Sequence, residues 1–510
     1  MTYIAGIDVG TTGVKAMILD TEGNVLGSGY VEYPSLYPHP GWVEQDAEQI
    51  IQSMYKACKT AVEGSGVDPK EIVSVGFSTQ RSTFCMLDED LKPIGNIFYS
   101  WQDGRSGYLL GEMAEIMDPE VKHQKCGMAH NPYDSLPKIY WIKKEMPEVY
   151  AKTKYIALMM DYILYRFGVD GIYTERCLGN CSQLIDPIAK TWSYDVIDAF
   201  GIDRDKLAPL VEPSTVLGEV TPEISELTGL AVGTKVVTGT GDQQCAAVGA
   251  GVIDDGAACL TLGTSGFLII GSESADITKL PGIMFANNAG NTDLYELECL
   301  QMSAASSYRW LKDTLCTDEQ KESAETGADP FVLMEKSVVK SAPGANGLIF
   351  LPFLQGNGYP HWMFNSKGVF AGIKFTTTRE DVIRSVMEGI TLESRDMYET
   401  VKEAGVEIKS LVMTGGAAKS PAWRQIVADL FDMDLRVLEV ADAATVAAAI
   451  LGAVGAGVFK DAREGVDKMI KFSETLHPIP ENVEAYKKVY ASYKQIIADV
   501  KGGAIFNALE

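Results

Sequence analysis

The stretch Ile4-Ala-Gly-Ile-Asp-Val-Gly-Thr-Thr-Gly-Val-Lys-Ala-Met-Ile-Leu-Asp20 decides the fold. Two apolar runs flank the turn Gly10-Thr-Thr-Gly13, and this pattern predicts a β-hairpin. Asp8 ends the first strand and Lys15 lies in the second. Glycines let a phosphate approach the backbone, hydroxyls and amides donate to its oxygens, and a carboxylate can hold Mg²⁺ directly or through water. The stretch is therefore either a plain hairpin with solvated polar residues or part of a phosphate and metal site.

A second stretch repeats this design. Cys259-Leu-Thr-Leu-Gly-Thr-Ser-Gly-Phe-Leu-Ile-Ile270 again has the order strand, Gly-Thr turn, strand. Two hairpins of one design, about half a chain apart, predict two copies of one domain type that face each other. Asp8 precedes the turn of the first copy and Leu262 precedes the turn of the second, so we expect a metal-linked acid in the first copy alone.

Strands and helices alternate in both halves of the chain. The buried strand predicted at residues 72–77 ends in a polar run at residues 78–83, and a strand from Lys235 leads to a glycine turn that bears Asp242. A later strand runs into Gly415-Gly416, and Ser420-Pro421 is a typical helix opening. This alternation predicts an α/β fold whose ligands collect where strands end.

Size and charge limit the class of protein. The chain has 510 residues, too many for one core, and a formal net charge of -25. That charge argues against nucleic acid or an anionic membrane surface as a general partner. The most apolar segment, residues 446–459, is short and rich in Ala and Gly, so it predicts a packed helix and not a membrane span. Nine scattered cysteines without a C-x-x-C pair suit a reducing compartment, and we expect a cytoplasmic protein.

Common nucleotide-binding motifs do not match. The chain has no Gly-Lys dipeptide, which a P-loop requires. The Gly239-Thr-Gly241 turn has Gln244 where the third glycine of a dinucleotide-binding motif would stand. The sequence therefore disfavours both P-loop and Rossmann folds.

Two longer stretches resemble the signatures of FGGY-family carbohydrate kinases. Tyr133-Asp-Ser-Leu-Pro-Lys-Ile-Tyr-Trp-Ile-Lys-Lys-Glu145 is similar to the first signature, with Lys138 and Trp141 in place. Gly368-Val-Phe-Ala-Gly-Ile373 followed by Asp381-Val-Ile-Arg-Ser-Val-Met-Glu388 is similar to the second. The resemblance covers essentially the whole chain. It implies two actin-like (ribonuclease H-like) domains with a deep cleft between them, residues 1–253 for substrate and phosphate and residues 254–510 for ATP.

Within the family, the substrate loops look most like those of glycerol kinases. Ser82 departs from that group, which carries a substrate-binding glutamate at this position. Trp101-Gln-Asp-Gly-Arg105 also resembles the W-x-D-x-R of pentulose kinases, but those usually carry Met-His where Arg81-Ser82 stand. The first expected substrates are glycerol-like polyols and short ketoses. Pentuloses, gluconate-type acids and linear signalling sugars are the alternatives. If Ser82 explains a changed substrate choice, Ser82→Glu is expected to raise glycerol phosphorylation.

The resemblance and the chemistry of phosphoryl transfer give each candidate residue a role. ATP and Mg²⁺ are the expected cofactors, Asp242 is the expected general base, and Asp8 with Asp242 would hold the metal. The expected substrate-binding residues are Gln80, Arg81, Ser82, Trp101, Asp103, Tyr133, Asp242 and Gln243. The expected ATP and phosphate contacts are Gly10, Thr11, Thr12, Lys15, Gly263, Thr264, Gly415, Gly416 and Ser420.

Two rival interpretations stay open at this point. One is an actin- or Hsp70-like switch that hydrolyses ATP slowly, against which both signatures and the substrate loops argue. The other is a kinase-like protein without activity, against which the presence of Asp8 and Asp242 argues. No nucleic acid or membrane partner is expected. Family members are often dimers or tetramers, so the resemblance allows a homodimer or a homotetramer.

Overall fold

The structure is a computed structural model that describes residues 2–502 and 504–507. The chain forms two compact units, and each of them is discontinuous along the sequence. The first unit contains the chain up to Asp255 together with Gly271–Glu296 and Asp442–Lys471. The second unit contains Gly256–Ile270, Leu297–Ala441 and the chain from Phe472 onwards. The single boundary after residue 253 and the role given to each half stay proposals.

A six-stranded sheet forms the centre of the first unit. The opening stretch is the antiparallel hairpin that the sequence predicts, with strands Tyr3–Val9 and Gly13–Asp20. Its first strand also pairs in parallel with Ile72–Thr79. The order of the strands across this sheet is Val216–Glu219, Lys235–Gly241, Ile72–Thr79, Tyr3–Val9, Gly13–Asp20 and Val25–Glu32.

The remaining elements of the first unit include a four-stranded sheet and two strand pairs. The other strands are Glu44–Asp46, Phe84–Leu87, Ile97–Tyr99, Tyr155–Leu158, Thr174–Glu175, Ile185–Asp186, Thr191–Trp192, Leu210–Val211 and Met284–Asn287. The helices are Ala47–Ser65, Leu110–Ile116, Pro119–Cys126, Ser135–Glu145, Pro147–Lys152, Met159–Arg166, Arg176–Gly179, Tyr194–Ala199, Pro222–Thr228, Asp242–Gly249, Ala443–Ala456 and Ala462–Met469.

The helix Ala443–Ala456 packs against the central sheet at backbone distance. A Cβ atom added to Gly6 would lie 2.2 Å from the carbonyl oxygen of Thr445, and one added to Gly76 would lie 2.0 Å from that of Ala448. Only glycine at these two strand positions permits so close an approach. The predicted packed apolar helix is thus confirmed, and it belongs to the first unit although it lies late in the chain.

The second unit contains a sheet around the second hairpin. The hairpin strands are Ala257–Leu262 and Gly266–Ser272, and the first of them pairs in parallel with Ser410–Thr414. Across this unit the strands follow the order Tyr295–Gln301, Gly266–Ser272, Ala257–Leu262, Ser410–Thr414, Leu435–Leu438 and Phe472–Leu476. A short pair is formed by Ile349–Leu351 and Val369–Ala371. The helices are Ala305–Leu315, Thr317–Thr326, Pro330–Val338, Arg379–Glu403, Pro421–Phe431, Pro480–Val500 and Ala504–Asn507.

Two expectations from composition can be compared with these elements. Throughout the residues described, no helix combines the length and the apolar character needed to cross a membrane. All nine cysteines of the sequence are buried.

Candidate active site

Asp8 lies at the end of the first strand, and sheet register determines its neighbours. It stands opposite Lys15 on the antiparallel side and opposite Ser78 on the parallel side. The Ser78 hydroxyl donates to Asp8 Oδ1 over 2.6 Å. Burial of the carboxylate and the nearby charges of Asp242 and Asp442 outweigh this hydrogen bond and raise the pKa of Asp8 to about 7. The described residues contain no cluster of three or more His, Cys, Asp or Glu side chains that could hold a metal ion, so Asp8 offers single carboxylate oxygens of the kind a divalent cation prefers.

The hairpin turn beside Asp8 is closed by its own backbone and leaves space around Gly10. The Gly10 amide donates to Gly13 O over 3.0 Å, and the nearest atom to an added Cβ on Gly10 would be 3.5 Å away. The Thr11 hydroxyl accepts from Trp101 Nε1 over 2.8 Å, whereas the Thr12 side chain is exposed. A phosphate could therefore reach the turn at Gly10 and Thr12.

Lys15 forms an ion pair with a residue that the sequence patterns did not single out. Its Nζ lies 2.6 Å from Asp442 Oδ1, and the two side chains are 32% and 40% exposed. The partner precedes the helix Ala443–Ala456, 427 residues along the chain. A separation of that length explains why no local motif could reveal the pair.

Asp242 is the first residue of the helix Asp242–Gly249, directly after a central strand. Its Oδ1 accepts from the Gln243 amide over 2.7 Å and lies 3.4 Å from Arg81 Nε. The Asp242 side chain is 27% exposed. Gly241 permits this arrangement, since a Cβ there would lie 2.5 Å from Arg81 Cγ. Asp242 is thus a positioned and accessible carboxylate, as a general base requires.

Gln243 adds an unsatisfied acceptor beside Asp242. Its Oε1 is buried and has no hydrogen-bond partner in the described part of the structure. A buried acceptor without a partner costs about 1–3 kcal/mol, so a donor supplied by a ligand would be favoured there. This observation supports the expected substrate contact of Gln243.

Gln80 is buried within the protein and bonds to protein groups. Its Nε2 donates to Gln45 Oε1 over 2.8 Å, and Gln45 in turn donates to the carbonyl of Thr11 over 2.9 Å. Only 1% of Gln80 is exposed. The geometry therefore gives Gln80 a supporting position behind the hairpin turn.

Ser82 is also buried, and its backbone has the left-handed conformation, with φ 57°. Its hydroxyl lies 3.1 Å from Asp134 Oδ1 and 2.9 Å from the Cys181 carbonyl oxygen, and its one hydrogen is within reach of both acceptors. Gln183, with φ 67°, donates to the other oxygen of Asp134 over 2.6 Å. Two left-handed non-glycine residues on one buried carboxylate are unusual, and such strain collects at functional sites.

This environment reverses the expectation for Ser82→Glu. The new carboxylate would be buried beside Asp134, and an uncompensated buried charge costs about 3–5 kcal/mol. We now expect a lower free energy of unfolding by about 3 kcal/mol and no gain in kcat/KM for glycerol. Urea denaturation and a glycerol assay measure both. Ser214→Glu is the matched control, because Ser214 has φ 61° at a position away from these residues. A stable variant with improved glycerol turnover would refute this account.

Asp103 and Arg105 form a buried ion pair. Asp103 Oδ2 accepts from Arg105 Nη2 and from the Val43 amide, each over 2.7 Å, and Arg105 also pairs with Glu44. The Arg105 guanidinium lies 3.9 Å from the centre of the Trp42 ring. The W-x-D-x-R stretch thus supports the loop that carries Trp101. The expected sugar contact of Asp103 has no support in this geometry, because groups of the protein itself occupy its oxygens.

Lys138 connects the loops of the two aromatic candidates. It is fully buried, and its Nζ donates to the Tyr133 carbonyl over 2.7 Å and to the Ser100 carbonyl over 3.0 Å. Burial lowers the pKa of Lys138 to about 7. Trp101, which follows Ser100, is partly buried, and Tyr133 is 39% exposed. One ammonium group therefore positions both candidate substrate contacts, a role that the signature match did not reveal.

In the second unit, the hairpin turn has a similar closure. The Gly263 amide donates to Ser265 O over 3.0 Å, and the Thr264 carbonyl accepts from Ala304 N over 3.0 Å and from Ser306 Oγ over 2.7 Å. The Thr264 side chain is exposed. This turn is accessible, as a phosphate contact requires.

The Gly415-Gly416 turn has a structural reason for only one of its glycines. Gly415 has φ 83°, and a Cβ there would lie 2.6 Å from Leu262 O. Gly416 has no atom within 4 Å of an added Cβ, so open space surrounds it. Ser420 caps the helix Pro421–Phe431 by accepting from Trp423 N over 3.2 Å, and it donates to Glu335 over 3.0 Å. The space at Gly416 is compatible with a nucleotide contact.

Within the first unit, the strand ends bring together Asp8, Lys15, Arg81 and Asp242. Trp101 joins them through Thr11. Gln80, Ser82 and Asp103 lie behind this group, each bonded to protein partners. The sequence interpretation gave no role in the site to Gln45, Asp134, Lys138, Gln183 or Asp442. Of these, Asp134 and Lys138 lie within the first signature stretch, residues 133–145.

Known proteins resemble this chain over its length. Models of the N-terminal and C-terminal domains of the FGGY family of carbohydrate kinases match residues 3–249 and 258–456. A xylulose kinase of Bacillus subtilis (strain 168) is 30% identical over 502 residues, which cover 98% of both chains. Glycerol kinase 2 of Thermotoga maritima is 26% identical over 507 residues, again 98% of both.

A solved structure agrees with the fold. Xylulose kinase from Lactobacillus acidophilus superposes with a TM-score of 0.91 at 21% identity, and the match covers 100% of each chain. The predicted actin-like, two-domain α/β fold is therefore confirmed. The chain belongs to the FGGY family of carbohydrate kinases and is an ATP-dependent kinase of a sugar or polyol.

Proposed function

We propose that this kinase phosphorylates a neutral ketose, with pentuloses of the xylulose type first. The 30% identity to a xylulose kinase supports this choice over glycerol-like polyols, which were expected first together with short ketoses. The buried Ser82 supports it as well, because no carboxylate stands there to bind the hydroxyls of glycerol. The sequence interpretation gave pentuloses as an alternative, and they become the leading proposal.

The ion pair between Arg81 and Asp242 carries the proposal of a neutral substrate. Arg81 Nε lies 3.4 Å from Asp242 Oδ1, so its positive charge is partly balanced by the proposed base. A carboxylate substrate such as gluconate would have to compete with Asp242 for Arg81. A sugar hydroxyl can share both groups without adding charge. This geometry therefore favours ketoses over sugar acids.

The mechanism assigns each group a step at a stated atom. Asp242 accepts the proton of the attacking hydroxyl, while Arg81 and Gln243 orient the sugar through its oxygen atoms. Lys15 and Thr12 bind phosphate oxygens of ATP, and the space beside Gly10 lets the phosphates approach the turn. Trp101 and Tyr133, positioned by Lys138, line the sugar side and help to exclude water.

The residues also suit Mg²⁺. Asp8 and Asp242 supply the carboxylate oxygens that this ion prefers, and burial, together with the nearby charge of Asp242, raises the pKa of Asp8. When bound, Mg²⁺ would neutralise charge on the phosphates during transfer.

A coupled ADP-release screen tests the substrate. We expect kcat/KM for a pentulose to exceed that for glycerol and for gluconate by about tenfold or more. A substrate that lacks a hydroxyl leaves a polar group of the site without its hydrogen bond, which lowers kcat/KM. Tetruloses, tetritols, pentitols and linear dihydroxyketones complete the panel. Arg81→Met should raise KM for the best sugar more than KM for ATP. Glycerol or gluconate as best substrate would overturn the proposal, and ADP release independent of every sugar would favour a nucleotide switch.

A further inference from the structure

Asp442 occupies a helix N-cap position without capping its helix. No bond from its side chain to the first turn of Ala443–Ala456 is present in the described structure. Aspartate is among the best capping residues, and Asp461 does cap the next helix by accepting from Glu464 N over 2.9 Å. Asp442 instead binds Lys15 Nζ over 2.6 Å. Its carboxylate therefore binds a residue of the opening hairpin instead of capping its own helix.

The packing of the helix holds this carboxylate in place. Besides the close contacts at Gly6 and Gly76, a Cβ on Gly249 would lie 2.1 Å from the carbonyl oxygen of Ala443. Ala443 is the neighbour of Asp442, and Gly249 ends the helix that Asp242 begins. The N-terminus of Ala443–Ala456 is thus fixed against both the central sheet and the helix of the proposed base.

The charges around the hairpin are predominantly negative. Asp242 and Asp442 are both close enough to Asp8 to raise its pKa. Lys15 supplies a positive charge, and Asp442 neutralises it by direct contact. A metal-free polyphosphate is repelled by these carboxylates, and the ammonium group of Lys15 is already paired with Asp442. A polyphosphate bound to a divalent cation carries positive charge that offsets the carboxylates.

We propose that Asp442 makes nucleotide binding depend on a divalent cation, by holding Lys15 in an ion pair until the metal-bound nucleotide displaces it. The proposal rests on the phosphate site assigned above to Gly10, Thr12 and Lys15. For a phosphate charge about 6 Å from the Asp442 carboxylate, at an effective dielectric constant of about 40, removal of the carboxylate charge would change the affinity for the nucleotide by about tenfold. Asp442 is thus a positioning residue that gives the site selectivity between metal-bound and metal-free nucleotide.

Isothermal titration of ADP, with excess Mg²⁺ and separately with EDTA, tests this proposal on the full chain. We expect Asp442→Asn to lower the Kd for metal-free ADP by about tenfold and to change the Kd with Mg²⁺ by less than about threefold. Asp442→Ser also removes the charge but keeps a side chain that can cap the helix. It should change the two Kd values as Asp442→Asn does, and agreement between the variants would show that the change is not caused by a folding defect. Asp461→Asn, a matched change at the next N-cap, should leave both Kd values unchanged.

The outcomes separate this proposal from the one on which it rests. If both Asp442 variants keep the wild-type ratio of the two Kd values, or bind metal-free ADP more weakly, Asp442 does not control metal dependence. If Lys15→Met leaves the Kd for ADP with Mg²⁺ unchanged, the phosphate site itself is wrongly assigned.

Discussion

Asp242→Asn is expected to lower kcat by about 10²- to 10⁴-fold, the range that a general base contributes. Asparagine keeps the shape of the side chain and can still accept from the Gln243 amide, but it cannot take the proton of the sugar hydroxyl. The effect should fall on kcat, with KM for the sugar changed far less. Single-turnover kinetics with the best sugar of the screen measures the loss.

Two controls make the Asp242 result specific. Titration of ADP should still show binding, with a Kd changed far less than kcat, because the proposed adenosine contacts Gly415 and Gly416 are unaltered. Asp195→Asn changes another carboxylate in the first turn of a helix of the first unit and should leave kcat as it is. Turnover of the Asp242 variant within about threefold of wild type would remove Asp242 from the mechanism.

Asp8→Asn is expected to abolish most activity and at the same time to stabilise the ligand-free protein at pH 8. The pKa of Asp8 is about 7 in the folded chain and 3.8 in the reference state. The unfolded state therefore releases this proton first, and Asp8 destabilises the fold progressively as pH rises from about 4 to 7. Asparagine carries no such cost. We expect the free energy of unfolding to rise by about 1–4 kcal/mol, since one pKa unit corresponds to about 1.4 kcal/mol.

Urea denaturation in EDTA at pH 8 and pH 5 tests the sign of this effect. The advantage of the variant should be clear at pH 8 and should shrink at pH 5, where Asp8 of the wild type is protonated in the folded chain. Loss of activity with lower stability at both pH values would mean that Asp8 has a structural role instead. Asp20→Asn is a suitable control, because the pKa of Asp20, in the same hairpin, is lowered and not raised.

The parts of the fold that could be predicted are those determined by residues close together in the sequence. The opening hairpin, the helix opening at Ser420-Pro421 and the strand-to-helix turn at Asp242 all appear where the sequence places them. In each of them the determining residues lie within a few positions of one another. The residue types and their spacing are therefore sufficient to predict these elements.

The substrate side shows where local patterns stop being informative. The sequence presents Asp103 as a polar residue in a sugar loop, but its partners include the Val43 amide, 60 positions away. Ser82 looks like a simple replacement, whereas its left-handed backbone and its bond to Asp134 belong to a three-dimensional network. Lys15 and Asp442 meet only after the sheet and the late helix have assembled.

The close packing of Ala443–Ala456 on Gly6 and Gly76 also has a consequence for synthesis on the ribosome. The first unit is completed by a segment that is translated only after most of the second unit. At about 5–20 residues per second, the early strands would wait on the order of ten seconds or more for their covering helix. During that interval the face of these strands that contains Gly6 and Gly76 is exposed to solvent. Nascent chains interrupted before residue 442 should therefore depend on chaperones.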